Sequence, residues 1–148
     1  MAALEIAHSR IAGALEKLSA EIETTIHQTL IEVNLPAAHL VEAATVLRDQ
    51  LGYALLSMVT AVDYVDRIEM IYLAYALDQP HGVMLKANLP PEDEPACPTL
   101  TGIWPGAEFQ EREVYDLMGI RFEGHPNLKR VMLWEGFPGH PHRKDFLR

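Results

Sequence analysis

Residues 53–89 read YALLSMVTAVDYVDRIEMIYLAYALDQPHGVMLKANL. Three β-like runs stand out, at 53–62, 67–77 and 82–89. Their connections, DYVD and DQPH, are short and turn-like, so the simplest pairing is an antiparallel meander. The middle run is apolar at both parities. A strand of that kind is buried on both sides, which predicts helices over one face of the sheet and another layer over the second.

Upstream, Leu4, Ile11, Leu15 and Leu18 form one stripe of a helix over residues 3–18. Gly13 weakens that helix by only about 1 kcal/mol. Residues 22–35 predict one extended segment in which Ile31, Val33 and Leu35 alternate. Pro36 is placed to open a helix, where its missing N–H does no harm. Leu40, Val41, Ala44, Leu47 and Leu51 make the buried face of that helix, and Gly52 ends it. The result is an α+β fold, a small, mostly antiparallel sheet packed with two or three helices.

Downstream, PPEDEPACP at 90–98 predicts a linker or a long surface loop. AEFQEREVYDLM at 107–118 predicts a helix of about three turns, stopped by Gly119. The glycine- and proline-bearing remainder predicts an extended arm. The chain thus divides into an α+β domain over 1–118 and a basic C-terminal arm over 119–148. Two Gly-His-Pro corners, at Gly124 and Gly139, mark that arm.

Composition narrows the function classes. A chain of 148 residues fits one domain with a real core. Its longest apolar stretch is interrupted by Asp63, too short and too polar to span a bilayer. The N-terminus lacks the basic-then-apolar pattern of a signal peptide. A single cysteine, Cys97, excludes an internal disulfide and a cysteine-ligated iron–sulfur cluster within this chain, and fits a reducing, cytoplasmic setting. The net charge of −9 argues against nucleic acid as partner. Residues 1–118 carry 6 Lys and Arg against 18 Asp and Glu, whereas residues 119–148 carry 6 against 3. An acidic body and a basic arm predict that the arm binds either that body or a partner.

On a helical wheel of residues 107–118, Ala107, Val114, Leu117 and Met118 share a face. Glu111 falls beside Met118, and Glu113 between Phe109 and Leu117. Arg112 and Asp116 fall outward as a weak i, i+4 pair. Buried glutamates are protonated or met by cations, and Arg121, Lys129, Arg130, Arg143 and Lys144 are the cations at hand. The plain alternative is a solvated helix end. Glu111 and Glu113, two apart, diverge and make a poor general acid–base pair. His125, His140 and His142 could ligate a metal, with Asp145, as in a metal-dependent hydrolase. However, no HxxxH or HExxH spacing occurs, and His-Pro corners in loops commonly bond their imidazoles to backbone. No GxSxG, GxGxxG or P-loop is present, and the acidic loop around Cys97 disfavours a reactive thiol.

EREVYDLMGIRFEGHPNLKRVM, residues 111–132, resembles the signature of the thirty-kilodalton subunit family of proton-pumping NADH:quinone oxidoreductase, respiratory complex I. Glu111, Arg112, Glu113, Asp116, Leu117, Met118, His125, Lys129, Val131 and Met132 fill every place of it. TAVDYVDR, LKANLPPEDEPACPTLTGIWPGAEF and GHPHRKDF look like the flanking family stretches. The resemblance covers about residues 53–148. It implies a small α+β domain with an extended arm, and a structural, non-catalytic subunit with no cofactor of its own. The parent complex would carry FMN and iron–sulfur clusters. The implied partners are the quinone-site large subunit and the subunit holding the terminal iron–sulfur cluster, with indirect membrane association on the cytoplasmic face of the bacterial membrane. The interface residues so implied are Glu111, Arg112, Glu113, Asp116, His125, Lys129, Arg130, His140, Arg143, Lys144 and Asp145, with Arg130, Arg143 and Lys144 as ionic anchors to partners. The equivalent subunit of a membrane-bound nickel–iron hydrogenase or formate hydrogenlyase shares the EREVYD core. Many relatives continue past the Arg-Lys-Asp-Phe segment, so contacts of that stretch are expected to be absent here or supplied by another subunit.

Overall fold

The computed structural model describes residues 2–90 and 92–146. Helix α1 spans Ala2–Glu16 and buries Leu4, Ala7, Ile11 and Leu15, one stripe at helical spacing. Leu18 lies beyond its end and packs at the rim of the core. The segment expected to be one extended run is a hairpin. Strands β1 (Glu23–Ile26) and β2 (Leu30–Pro36) pair antiparallel, closed by the N–H of His27 donating to the carbonyl of Leu30. Pro36 does not open a helix. It is extended, at φ −67° and ψ 148°, and ends β2 opposite Asn88. At a strand terminus its missing N–H removes no ladder bond. A short 3-10 turn, Ala37–His39, then leads into α2, Leu40–Asp49.

The meander forms as the turn spacing predicts, from β3 (Leu55–Asp63), β4 (Ile68–Tyr75) and β5 (Gly82–Leu89), all antiparallel. The hairpin joins it through β2, which runs parallel to β5. The order is β1-β2-β5-β4-β3. A parallel pair needs a long crossover, and α2 with β3 and β4 supplies it.

Residues 90–98 are not simply a linker. Ala96–Pro98 forms β6, which pairs in parallel with β7, Arg121–Glu123, and buries Cys97. Between them lies α3, Ala107–Met118. Ile120 and Phe122 are fully inside the core, so the first residues of the expected arm belong to the domain. The core lies under one face of the large sheet, where Ile68, Met70, Tyr72 and Ala74 of β4 are buried. Helix α1 packs on β1 and β2, the 3-10 turn on β5, and α3 on β3 and β7. The Tyr72 hydroxyl touches Cys97 Sγ at 3.5 Å, and Trp104 Nε1 donates to the carbonyl of Tyr53 at 3.0 Å. The expected second layer is missing among the described residues. On the other face, Ile71, Leu73 and Tyr75 remain partly exposed.

Candidate functional site

Helix α3 and the arm meet in one polar cluster. An α-helix leaves its last four carbonyls without intrahelical partners, and this chain supplies a donor to each. Gly119, left-handed at φ 73°, donates its N–H to Tyr115 O. His140 donates Nδ1–H to Asp116 O at 2.8 Å. The N–H of His142 donates to Leu117 O at 2.9 Å, and Arg143 Nη1 lies 3.5 Å from Met118 O. The second Gly-His-Pro corner is therefore the C-terminal cap of α3. A guanidinium there also suits the negative end of the helix dipole. Gly119 is required twice over, because an added Cβ would sit 2.6 Å from His140 Cδ2.

Asp116 holds the middle of the arm. It is fully buried, and one carboxylate oxygen accepts the N–H groups of Val131, Met132 and Leu133 at 3.2, 2.8 and 2.9 Å. Arg130 Nη1 stands 3.5 Å from the other oxygen. Burial raises the carboxyl pKa, but these three amides and the guanidinium outweigh it and leave the group below its ordinary value. The expected outward pair of Arg112 with Asp116 is overturned. Arg112 instead donates to the carbonyls of Lys129 and Arg130 at 3.1 and 3.4 Å. The chain returns over this flank of α3, so both residues face protein.

Glu111 is also fully buried. Its partners are not arm cations but Thr99 Oγ1 at 2.6 Å and the N–H of Leu100 at 2.8 Å. Burial pushes its pKa up, against the pull of those two donors. Glu113 is half-buried and belongs to no ion pair among the described residues. At the first corner, His125 Nε2–H donates to Glu108 O at 2.9 Å while Nδ1 accepts the N–H of Asn127 at 3.0 Å. That arrangement requires the neutral Nε2–H tautomer, so the 3.9 Å approach to Glu111 is a polar contact, not an ion pair.

The end of the arm closes on Asp63, a residue the sequence marks only as an interruption of an apolar run. Asp63 Oδ2 accepts the N–H of Lys144 at 3.0 Å and faces Arg143 Nε at 3.4 Å, while Oδ1 accepts the N–H of Val65 at 2.8 Å. Burial opposes ionisation, but these donors and the charges of Arg143 and Lys144 leave its pKa below the ordinary value. Arg130 and Arg143 are thus anchors to this chain's own body. Lys129, Lys144 and Asp145 are exposed. Among the described residues, His125, His140, His142 and Asp145 included, no group of three or more His, Cys, Asp or Glu side chains is arranged to hold a metal.

Beside these charged side chains the arm also presents two large apolar ones outward. Met132 is 59% exposed and Trp134 65% exposed. Trp134 is braced edge-on against Phe137 at 5.7 Å, and Phe137 stacks on Phe146. Sequence reasoning assigned no site role to Trp134, Thr99 or Gln110, and met Met132 only as a place in the signature and Asp63 only as a break in an apolar run. Gln110 Oε1 accepts the N–H of Val59 on edge strand β3 at 2.9 Å and so fixes α3 to the sheet.

The model of the family described as respiratory-chain NADH dehydrogenase, 30 Kd subunit, matches residues 33–148. A subunit of the NADH-quinone oxidoreductase of Moorella thermoacetica is 40% identical over 134 residues, 89% of this chain and 90% of that protein. The chain spans only 51% to 58% of several longer relatives. Among solved structures, a chain of the membrane-bound sulfane sulfur reductase, an archaeal respiratory membrane complex, matches with TM-score 0.78 and 30% identity, over 93% of this chain and 84% of that one. The trypsin-resistant fragment of Nqo5 matches with TM-score 0.66 and 29% identity, over 80% of this chain and 99% of that one.

Proposed function

This chain belongs to the 30-kilodalton subunit family of respiratory-chain NADH dehydrogenase, and from that premise we propose that it is a non-catalytic structural subunit of a proton-translocating NADH:quinone oxidoreductase. Its role is to hold the quinone-site large subunit and the terminal iron–sulfur subunit together in the hydrophilic arm of that complex. It carries no cofactor itself; FMN and iron–sulfur clusters reside on its partners. It sits peripherally at the cytoplasmic face of the membrane, in keeping with the lack of any helix among the described residues long and apolar enough to cross one.

One observation carries this reading. The titratable side chains Glu111, Asp116, His125 and His140 are engaged by backbone groups or a neighbouring threonine, which leaves them without a convergent reacting centre. Their bonds hold an arm that exposes two large apolar side chains, Met132 and Trp134. Tryptophan and methionine are enriched at the centres of protein interfaces.

The test is a pull-down of the tagged protein from gently solubilised membranes. Flavin and iron–sulfur subunits with NADH–quinone activity are the expected companions. Recovery of the chain alone would overturn the reading. A second reading is favoured by the likeness to the sulfane sulfur reductase chain. In it the same fold serves a related membrane complex that passes electrons to another acceptor, protons included. Co-purifying redox subunits without NADH oxidation would select it.

A further inference from the structure

The outer face of the large sheet has two ends of different chemistry. Side chains alternate between faces along a strand, so the register places whole rows on this face. One row is Met58, Leu73 and Met84, on β3, β4 and β5. The next is Leu55, Tyr75 and Gly82. At Gly82 an added Cβ would lie 3.0 Å from the Tyr75 ring and 3.2 Å from Leu73 Cδ1. Tyr75 and Leu73 therefore lie down across the glycine and form a continuous apolar floor. Leu55 at its edge is 51% exposed.

The other end holds Glu69, opposite Val62 and Asn88. Only 7% of Glu69 is exposed, and its Oε1 has no hydrogen-bond partner among the described residues. A nearly buried carboxylate oxygen without a donor is costly. The cation on this face, Lys86, is already 3.3 Å from Glu32. No donor for that oxygen stands among the described residues.

We propose that this face docks an amphipathic helix of a partner subunit, apolar along the Met58–Leu73–Met84 floor and carrying a lysine or arginine that reaches Glu69. The inference rests on the chain being a subunit of a larger complex. A helix laid over the open face of a sheet is one of the stable layer arrangements. Charge selects the occupant. A second copy of this chain would bring the same patch, with its Lys86 already paired to Glu32 and its own Glu69, in a protein of net charge −9. Like charges brought together oppose such a pairing.

The test uses the intact complex. A photoreactive p-benzoylphenylalanine replaces Leu73, and the cross-linked peptide is sequenced. The expected product is a peptide of another subunit with apolar residues at helical spacing and a lysine or arginine among them. A cross-link to a second copy of this chain, to a peptide without a basic residue, or to nothing would overturn the proposal. In parallel, methionine oxidation needs no substitution. Met58 and Met84 should oxidise at least fivefold more slowly in the complex than in the isolated chain, and equal rates would refute docking here. Glu69→Gln, which keeps the shape and removes the charge, should lower recovery of the subunit in the complex several-fold while the isolated chain melts no lower than before; unchanged recovery removes the cation. If the unaltered chain fails to co-purify with redox subunits, the subunit reading has failed. If it co-purifies without protecting this face, only the docking proposal has.

Discussion

Asp63 Oδ2 accepts the backbone N–H of Lys144 at 3.0 Å, across 81 positions of sequence. The end of β3 thereby holds the end of the arm, with Arg143 Nε 3.4 Å from the same oxygen. The lysine acts mainly through its backbone, its ammonium adding less than the Arg143 guanidinium, so the two basic residues have separable roles. Lys144→Glu should lower the thermal midpoint far less than Arg143→Glu. Arg143→Glu should place two like charges together at a partly buried site and destabilise the chain by about 2 kcal/mol or more. Thermal unfolding of the two variants checks this, and equal midpoints would sink it.

Asp116→Ala leaves three amides and a guanidinium without their acceptor. The expected loss is about 3 kcal/mol, accompanied by faster proteolysis between residues 124 and 146. A protease time course that matches the unaltered chain would show that the arm is held by something else.

Acid should release the arm. Asp116 and Asp63 both titrate below the ordinary carboxylate value. A depressed carboxylate contributes stability that is present above the unfolded-state pKa and is lost as pH falls through the folded-state value. The arm should therefore stay clamped at neutral pH and loosen below about pH 4. Hydrogen exchange at residues 131–133 and 144 against pH measures it.

Glu111 has the opposite sign. Burial raises its pKa, so the ionised form is the costly one and the group weakens the fold as pH rises through its folded-state value. Glu111→Gln keeps an acceptor for the Leu100 amide. The variant should gain stability relative to the unaltered chain between pH 4 and pH 8, as followed by denaturant midpoints. A constant difference would mean that the charge is irrelevant.

Gly119→Ala must strain a left-handed backbone and displace His140, whereas Gly52→Ala meets only the first cost, since nothing lies within 4 Å of the added Cβ. The penalty at Gly52 should be about 1–2 kcal/mol, and that at Gly119 clearly larger. Cys97 gives an independent check of the core. It is 1% exposed and its thiol pKa is pushed up to about 12, chiefly by burial. A thiol reagent should count none in the native chain and one after unfolding.

Much of this architecture is written locally. The turn residues of 53–89 set the antiparallel order of β3, β4 and β5, and the polar Lys86 and Asn88 at one parity mark which side of β5 turns outward, because a strand alternates regardless of what it meets. The stripe of Leu4, Ile11 and Leu15 and the stop at Gly119 are equally local, and the EREVYD signature marks the family. Four things were decided only in three dimensions. The hairpin of residues 23–36 joins β5 in parallel, β6 and β7 pair across α3, Asp116 faces the arm and not solvent, and Asp63 closes the clamp. A helical wheel gives the direction of a side chain but not what lies there, and here the chain itself returns over α3. Composition showed that an acidic body would seek a basic arm. It could not show that backbone amides, more than lysines, would satisfy the carboxylates, because that depends on which loops pass within 3 Å of them.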